Sequence, residues 1–122
     1  MKESPVQRLI LDWLAAEHYL AFRMNTGVAK FDDRFVKFGV KGMADILTFK
    51  STDYIYECTY AGSGTPWDAK AIRLQMPIWI ETKATKGKQS EFQKSFQRQV
   101  EEHGHIYILA KSLEDVQKGM GR

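Results

Sequence analysis

Hydrophobic positions near the start of the chain follow the spacing of an amphipathic helix. Ser4 supplies an N-cap and Pro5 a favourable first helical position. The apolar side chains that follow recur at the i, i+3, i+4, i+7 and i+8 positions: Val6, Leu9, Ile10, Trp13 and Leu14. This pattern predicts a helix over residues 5–17. Residues 19–24 then alternate, with the even-numbered apolar side chains on one face, and predict a short strand.

Two further strands are predicted at residues 44–49 and 78–83, where apolar runs carry acidic residues. Between them, residues 54–60 have high strand propensity and residues 61–66 have the composition of a loop. We interpret the region from about residue 50 to 76 as an insertion.

The second half of the chain predicts a helix, a strand and a short helix. Ser90 and Gln93 form a capping-box pattern, and Gly104 ends the helix that they begin. The expected buried stripe of this helix consists of Phe92, Phe96 and Val100. Residues 105–110 predict a strand, and Ser112 caps a last short helix.

The order of these elements predicts an α/β fold with a central mixed β-sheet flanked by helices. The chain has 122 residues, of which 43% are hydrophobic and 27% charged, and this suits one compact domain. It has no run of about 18 apolar residues, and its first residues lack the pattern of a secretory signal, so we expect a cytoplasmic protein with no membrane partner. Its single cysteine, Cys58, excludes an internal disulfide framework and a cysteine-built zinc site.

The positive charge is concentrated in two zones. The formal net charge is only +3, but residues 23–41 and residues 81–98 each carry five lysines or arginines against two acids. Two interpretations stay open, because such zones are either solvated faces or surfaces that bind the phosphates of nucleic acids.

Two acidic residues are candidates for chemistry. In Glu81-Thr82-Lys83, at the end of a predicted strand, period-two geometry directs Glu81 and Lys83 to one face and Thr82 to the other. An ion pair alone would explain these two charges. However, Asp45 lies on a preceding strand of the same predicted sheet, after Gly42, which allows a close approach of a ligand or of backbone. Two carboxylates that face one point repel each other unless one is protonated or a cation such as Mg²⁺ or Mn²⁺ lies between them.

The combination of Gly42-Met43-Ala44-Asp45, Glu81-Thr82-Lys83 and Gln93 resembles the VRR-NUC branch of the PD-(D/E)XK nuclease superfamily. Other stretches with the same resemblance are Glu3-Ser4-Pro5-Val6-Gln7 with residues 10–14, residues 23–27, and Lys86-Gly87-Lys88. The resemblance therefore spans nearly the whole chain except the insertion.

The resemblance implies a restriction-endonuclease-like fold with an αβββαβ core, formed by a single VRR-NUC-like nuclease domain over residues 1–122. It also implies a metal-dependent endonuclease that hydrolyses DNA phosphodiester bonds. The implied substrate is branched DNA such as a Holliday junction, cut by a homodimer in a bacterial or phage-infected cell.

The resemblance also assigns roles to individual residues. Asp45, Glu81 and the backbone carbonyl of Thr82 would bind Mg²⁺ or Mn²⁺, with Glu3 as an additional acid. Lys83 would position the attacking water, and Gln93 would support the active site. The residues expected to contact nucleic acid are Arg23, Asn25, Lys41, Lys86 and Lys88.

Simpler explanations stay open for several of these residues. Gln93 occupies the position that a capping box requires, and Glu3 is also explained as an exposed acid near a helix start. Arg23 and Asn25 are equally explained as solvated side chains. His103 is expected at a helix end rather than as a metal ligand.

Two other classes of function also stay open. One is a non-catalytic nucleic-acid-binding module of the same fold, in which the acids and Lys83 form a polar network. The other is a protein-interaction dimer whose aromatic insertion forms the interface.

Overall fold

The computed structural model describes residues 4–24, 27–31, 34–38, 40–60 and 66–121. These residues form three helices: α1 (Pro5–Ala16), α2 (Glu91–Glu102) and α3 (Leu113–Gly119). They also form six strands: β1 (Ala21–Arg23), β2 (Gly27–Phe31), β3 (Arg34–Phe38), β4 (Ile46–Tyr60), β5 (Pro66–Thr82) and β6 (Ile106–Ala110). None of the helices in these ranges is long and apolar enough to cross a membrane.

The main sheet has the strand order β1-β4-β5-β6, and β2 pairs with β3 in a separate two-stranded sheet. The β1–β4 and β4–β5 pairs are antiparallel, whereas β5 and β6 are parallel. The predicted α/β fold with a mixed sheet and flanking helices is therefore confirmed at this level.

One face of the main sheet is covered by α1 and α3. Alternation along β5 directs Ile78 and Ile80 to this face, where both are fully buried. They belong to a cluster of buried side chains from the sheet and from the two helices and their ends: Ile10, Leu14, Ile46, Ile108, Ala110, Val116 and Met120. Burial of this apolar surface is the main contribution that holds α1 and α3 on the sheet.

The opposite face is covered by α2 through a smaller cluster. Phe96 and Val100 pack with Ala44, and Trp79 lies against them. The Trp79 and Phe96 rings meet edge to face with their centroids 5.0 Å apart, and the indole N–H of Trp79 donates to Nδ1 of His105 at 3.0 Å. Trp79 is therefore a packing residue, and His105 is the hydrogen-bond acceptor of its indole N–H.

Two apolar positions differ from the helical pattern. Phe92 was expected in the buried stripe of α2, but 52% of it is exposed, so that prediction was wrong. Its position in the first turn places its ring outside the cluster, where the ammonium of Lys41 lies 3.9 Å from the ring centroid. Leu9 of α1 is also 52% exposed, whereas Gln7 is only 8% exposed.

The apolar face of β1 is exposed. Leu20, just before β1, is 62% exposed and Phe22 is 48% exposed, whereas Ala21 packs against the main core. The register places Phe22 beside Leu47, and Leu47 beside Trp79, so this is the face that α2 covers. However, α2 packs over Trp79 of β5 and Tyr107 of β6, and β1 lies at the other edge of the sheet. The side chains of β1 on this face therefore stay exposed.

The expected insertion extends β4 and β5 instead of forming a separate element. The two strands stay paired from Lys50↔Met76 to Tyr60↔Pro66, with irregularities near residue 56 and residue 60. The other strands of the main sheet pair with β4 and β5 only at residues 46–48 and 78–82. Residues 50–60 and 66–76 therefore form a two-stranded arm, with about 3.3 Å of length for each residue pair.

The β2–β3 hairpin was not predicted. Its strands pair from Gly27↔Phe38 to Phe31↔Arg34. The sequence does contain a hairpin pattern here, since valines and phenylalanines flank the turn-forming pair Asp32-Asp33 on both sides. Three basic residues of the first charged zone lie on these strands: Lys30, Arg34 and Lys37.

Gly42 shows how closely the loop before β4 approaches α2. Its φ angle is +85°, and a Cβ there would overlap the carbonyl group of Phe92 and lie 2.9 Å from the backbone nitrogen of Gln93. This is the close approach of backbone that the glycine allows. It holds the N-terminus of α2 where Gln93 contacts Glu81.

We expect Gly42→Ala to lower the free energy of unfolding by about 2 kcal/mol or more, since it adds a steric clash to an unfavourable φ angle. Gly104→Ala is the matched control, because Gly104 has a φ of +83° but a Cβ there would meet no atom of the described residues within 4 Å. The control should lose only about 1 kcal/mol. Urea denaturation measures both changes, and equal losses would contradict the close approach at Gly42.

Candidate active site

Two carboxylates meet at the end of the β4–β5 ladder. Ile46 pairs with Ile80, so the antiparallel register places Asp45, one residue before β4, opposite Glu81, near the end of β5. Asp45 is 9% exposed and Glu81 is 2% exposed. The structure thus brings together the two acids that the sequence selected.

Asp45 is held by Thr82. Its Oδ2 accepts a hydrogen bond from the Thr82 backbone N–H at 2.8 Å and another from the Thr82 hydroxyl at 2.7 Å. The same hydroxyl accepts a hydrogen bond from Nε2 of Gln7 at 3.0 Å. Thr82 therefore points toward α1, on the opposite face from Glu81, as the alternation predicts.

Glu81 is held by Gln93 and Lys83. Nε2 of Gln93 donates to Oε1 of Glu81 at 2.8 Å, and Nζ of Lys83 lies 3.7 Å from the same oxygen. Oε1 of Gln93 accepts from the Ser90 backbone N–H at 2.9 Å, and the Ser90 hydroxyl accepts from the Gln93 N–H at 3.2 Å. Gln93 therefore completes the capping box and contacts the candidate acid at once.

The buried carboxyl group of Glu81 has a raised pKa. Burial raises the pKa of Glu81 to about 8, the charge of Asp45 contributes to the rise, and Lys83 offsets part of it. Its second oxygen, Oε2, is buried and has no hydrogen-bond partner among the described residues. A buried oxygen without a partner is costly unless a proton or a cation satisfies it.

These groups line one cavity of about 430 Å³. Its walls carry Asp45, Glu81, Lys83 and Gln93, and residues 4–7 at the start of α1 close one side. The side chain of Lys83 is 21% exposed, so it lies between the buried acids and solvent. The cavity therefore combines a buried acidic pair with an accessible ammonium group.

The donor set fits a hard divalent cation. Both bonds described for the Asp45 side chain reach Oδ2, and Glu81 presents the unpartnered Oε2, so each acid has an oxygen left for a ligand. Mg²⁺ and Mn²⁺ prefer such oxygens and take water and phosphate in their remaining positions. Within the described ranges, no group of three or more His, Cys, Asp or Glu side chains could hold a metal ion. Glu3 lies outside those ranges, and the described bonds of Thr82 involve its amide and hydroxyl, so the role of its carbonyl stays a prediction.

Three of the expected nucleic-acid contacts lie away from the lining of the cavity. Lys41, Lys86 and Lys88 are not among the described residues that line the cavity. Arg23 is partly buried at the end of β1, and Asn25 lies outside the described residues. Their roles stay predictions.

The loop that carries Lys86 and Lys88 is fastened by Tyr107. Nε2 of Gln89 donates to the Tyr107 hydroxyl at 3.0 Å and to Oε1 of Gln97 at 2.9 Å. Burial raises the pKa of Tyr107 to about 12, so the phenol stays neutral. This anchor was not predicted, since nothing in the sequence connects Gln89 with β6.

The contact of Gln7 with Thr82 was not predicted, although Gln7 belongs to a stretch that carries the resemblance. Gln7 occupies the buried stripe of α1 together with Ile10 and Leu14, at positions i, i+3 and i+7. A polar residue within an otherwise apolar stripe is the signal that could have indicated its role.

No protein-family model, curated protein or solved structure matches this chain. The resemblance to VRR-NUC nucleases therefore remains a prediction from the residues.

We expect the metal-free protein to lose stability as the pH rises from about 5 to about 8, because Glu81 keeps its proton in the folded state but loses it in the unfolded state over this range. Glu81→Gln should remove up to about 4 kcal/mol of this pH dependence. Urea unfolding at several pH values in EDTA measures the effect. Parallel profiles for the two proteins would contradict the raised pKa.

Proposed function

We propose that this protein is a metal-dependent endonuclease that hydrolyses DNA phosphodiester bonds. The observation that carries the proposal is the convergence of Asp45 and Glu81 with Lys83 in one cavity, where Glu81 presents a buried oxygen without a described partner. An ion pair alone does not require a second buried carboxylate at this point.

The arrangement of the main sheet supports a restriction-endonuclease-like fold. Leaving out the β2–β3 hairpin, the elements follow the order helix, three strands, helix and strand, which is the αβββαβ core that the resemblance implies. Both acids and Lys83 lie at the same end of the central β4–β5 pair.

Each residue has a definite task in this proposal. Asp45 and Glu81 would hold Mg²⁺ or Mn²⁺, which supplies Lewis-acid polarisation of the phosphodiester and a water of lowered pKa. Lys83 orients the attacking water and offsets negative charge that develops on the phosphate. Gln93 fixes the orientation of Glu81 through Oε1, and Oε2 keeps no hydrogen-bond partner among the described residues.

The two basic zones support a nucleic acid as the substrate, because phosphates are bound mainly by lysine and arginine. The preference for branched DNA and the homodimer rest on the resemblance. A two-fold dimer would present two equivalent sites to the paired strands of a junction.

The direct test is cleavage of a labelled four-way junction beside matched linear duplex and single strand, with Mg²⁺, Mn²⁺ or EDTA. We expect cleavage that requires the metal and favours the junction. Lys83→Ala should lower the rate at least about 100-fold, because it removes the group that orients the water. Lys118→Ala, an exposed lysine on α3, is the matched control and should cut like the wild type.

Two results would contradict this proposal. Cleavage by the purified protein that survives both EDTA and Lys83→Ala would show that the proposed metal site does not catalyse it. A folded protein that binds the junction with salt dependence but never cuts it would indicate the non-catalytic binding module.

A second expectation concerns affinity rather than chemistry. Lys86→Ala with Lys88→Ala should weaken junction binding and lower the slope of log affinity against log salt by about 1 to 2, because two phosphate contacts are lost. The cleavage rate at saturating DNA should stay close to that of the wild type, since neither lysine lines the cavity. Fluorescence anisotropy at several salt concentrations measures the slope, and an unchanged slope would remove both residues from the DNA-binding surface.

A further inference from the structure

Gln7 is a buried polar residue beside the candidate active site. Only 8% of it is exposed, and it lies between Ser4 and the apolar stripe of α1. Its backbone N–H donates to the Ser4 hydroxyl at 3.1 Å, which fixes the first turn of the helix. Its side-chain amide reaches across to the end of β5, and there it meets the Thr82 hydroxyl at 3.0 Å.

The direction of the hydrogen bonds follows from the donors and acceptors present. Oδ2 of Asp45 already accepts from the Thr82 backbone N–H, so it is an acceptor oxygen and the single proton of the Thr82 hydroxyl points to it. The hydroxyl can then only accept from Gln7, and this assigns the NH₂ end of the Gln7 amide to Thr82. The chain of hydrogen bonds runs in one direction, from the Gln7 amide through the Thr82 hydroxyl to Asp45.

These hydrogen bonds determine which oxygen of Asp45 is available to a ligand. Oδ2 receives two hydrogen bonds from Thr82, at 2.7 and 2.8 Å, and the bond from the hydroxyl becomes stronger when that hydroxyl is itself a hydrogen-bond acceptor. With Oδ2 engaged, Oδ1 is the oxygen left for a ligand in the cavity. Without Gln7, the Thr82 side chain would lose a bond that holds its rotamer.

We propose that Gln7 is a positioning residue that orients Asp45 for a divalent cation through the hydroxyl of Thr82. The proposal rests on the proposed function, since it concerns the same cation. Gln7 itself touches neither the cation nor the substrate. Groups that orient a metal ligand in this way typically change metal affinity about 10- to 100-fold when they are removed.

The test measures Mn²⁺ binding by titration calorimetry, without DNA. Gln7→Met keeps the length of the side chain and removes the donor, and we expect the dissociation constant for Mn²⁺ to rise about 10-fold. Thr82→Val should have a similar effect because it removes the hydroxyl, whereas Thr82→Ser should bind Mn²⁺ almost like the wild type. Gln7→Asn, whose amide is too short to reach Thr82, provides a second and milder variant in case Gln7→Met does not fold.

The double variant distinguishes a relay from two separate structural effects. If Gln7 acts only through the Thr82 hydroxyl, Gln7→Met combined with Thr82→Val should weaken Mn²⁺ binding about as much as Thr82→Val alone. Independent effects would multiply to about 100-fold.

Two matched controls keep general destabilisation apart from positioning. Thr48→Val removes another buried hydroxyl, one that donates to the Leu20 carbonyl, and Gln97→Met removes another hydrogen-bonded amide. Both should lower the melting temperature, and the dissociation constant for Mn²⁺ should stay close to that of the wild type.

The outcomes separate the two proposals. Wild-type protein that binds Mn²⁺, together with Gln7→Met, Gln7→Asn and Thr82→Val variants that bind it equally well, would overturn the relay and leave the proposed function standing. Multiplying effects in the double variant would also overturn it. Wild-type protein that neither binds Mn²⁺ nor cuts DNA would overturn the proposed function and the role of Gln7 with it.

Discussion

The geometry of the candidate active site depends on two acidic side chains, Asp45 and Glu81, that are buried next to each other. Asp45 and Glu81 face each other because the register of β4 and β5 leaves no alternative, and each is fixed by its own contacts. In the metal-free protein, burial and the neighbouring charge of Asp45 oppose the ionisation of Glu81. The raised pKa of Glu81 and its unpartnered oxygen both result from the desolvation of this carboxyl group. A divalent cation between the two acids would favour their charged forms and would supply the missing partner of the buried oxygen.

The two acids are held by contacts on opposite faces of the sheet. Along β5, Glu81 points to the α2 face and Thr82 points to the α1 face. Each helix begins beside the cavity and supplies one glutamine from its first turn, Gln7 to Thr82 and Gln93 to Glu81. The packing of α1 and α2 on opposite faces therefore sets the geometry of the acids, and Gly42 permits the approach that α2 needs.

The sequence predicted the acids and most elements, because caps, glycines and hydrophobic periods are local signals. It failed where tertiary packing decides the outcome. Phe92 fits the helical stripe but lies in the first turn, beyond the small cluster under α2, and the exposed face of β1 depends on how far α2 extends across the sheet. The loop composition of the insertion suggests a separate segment and hides the continuous pairing of β4 with β5. The contact of Gln7 with Thr82 joins residues that are 75 positions apart, so the local pattern of α1 could mark Gln7 as a buried polar residue but could not identify its partner.

The most direct measurement of the central claim is a crystal structure of the protein grown with Mn²⁺, with anomalous data collected at the manganese edge. We predict an anomalous peak at the carboxylates of Asp45 and Glu81, and the loss of this peak in Asp45→Asn. Clear density for both carboxylates with no peak between them, in crystals grown with Mn²⁺ in large excess over protein, would contradict the claim that the acidic pair binds a cation.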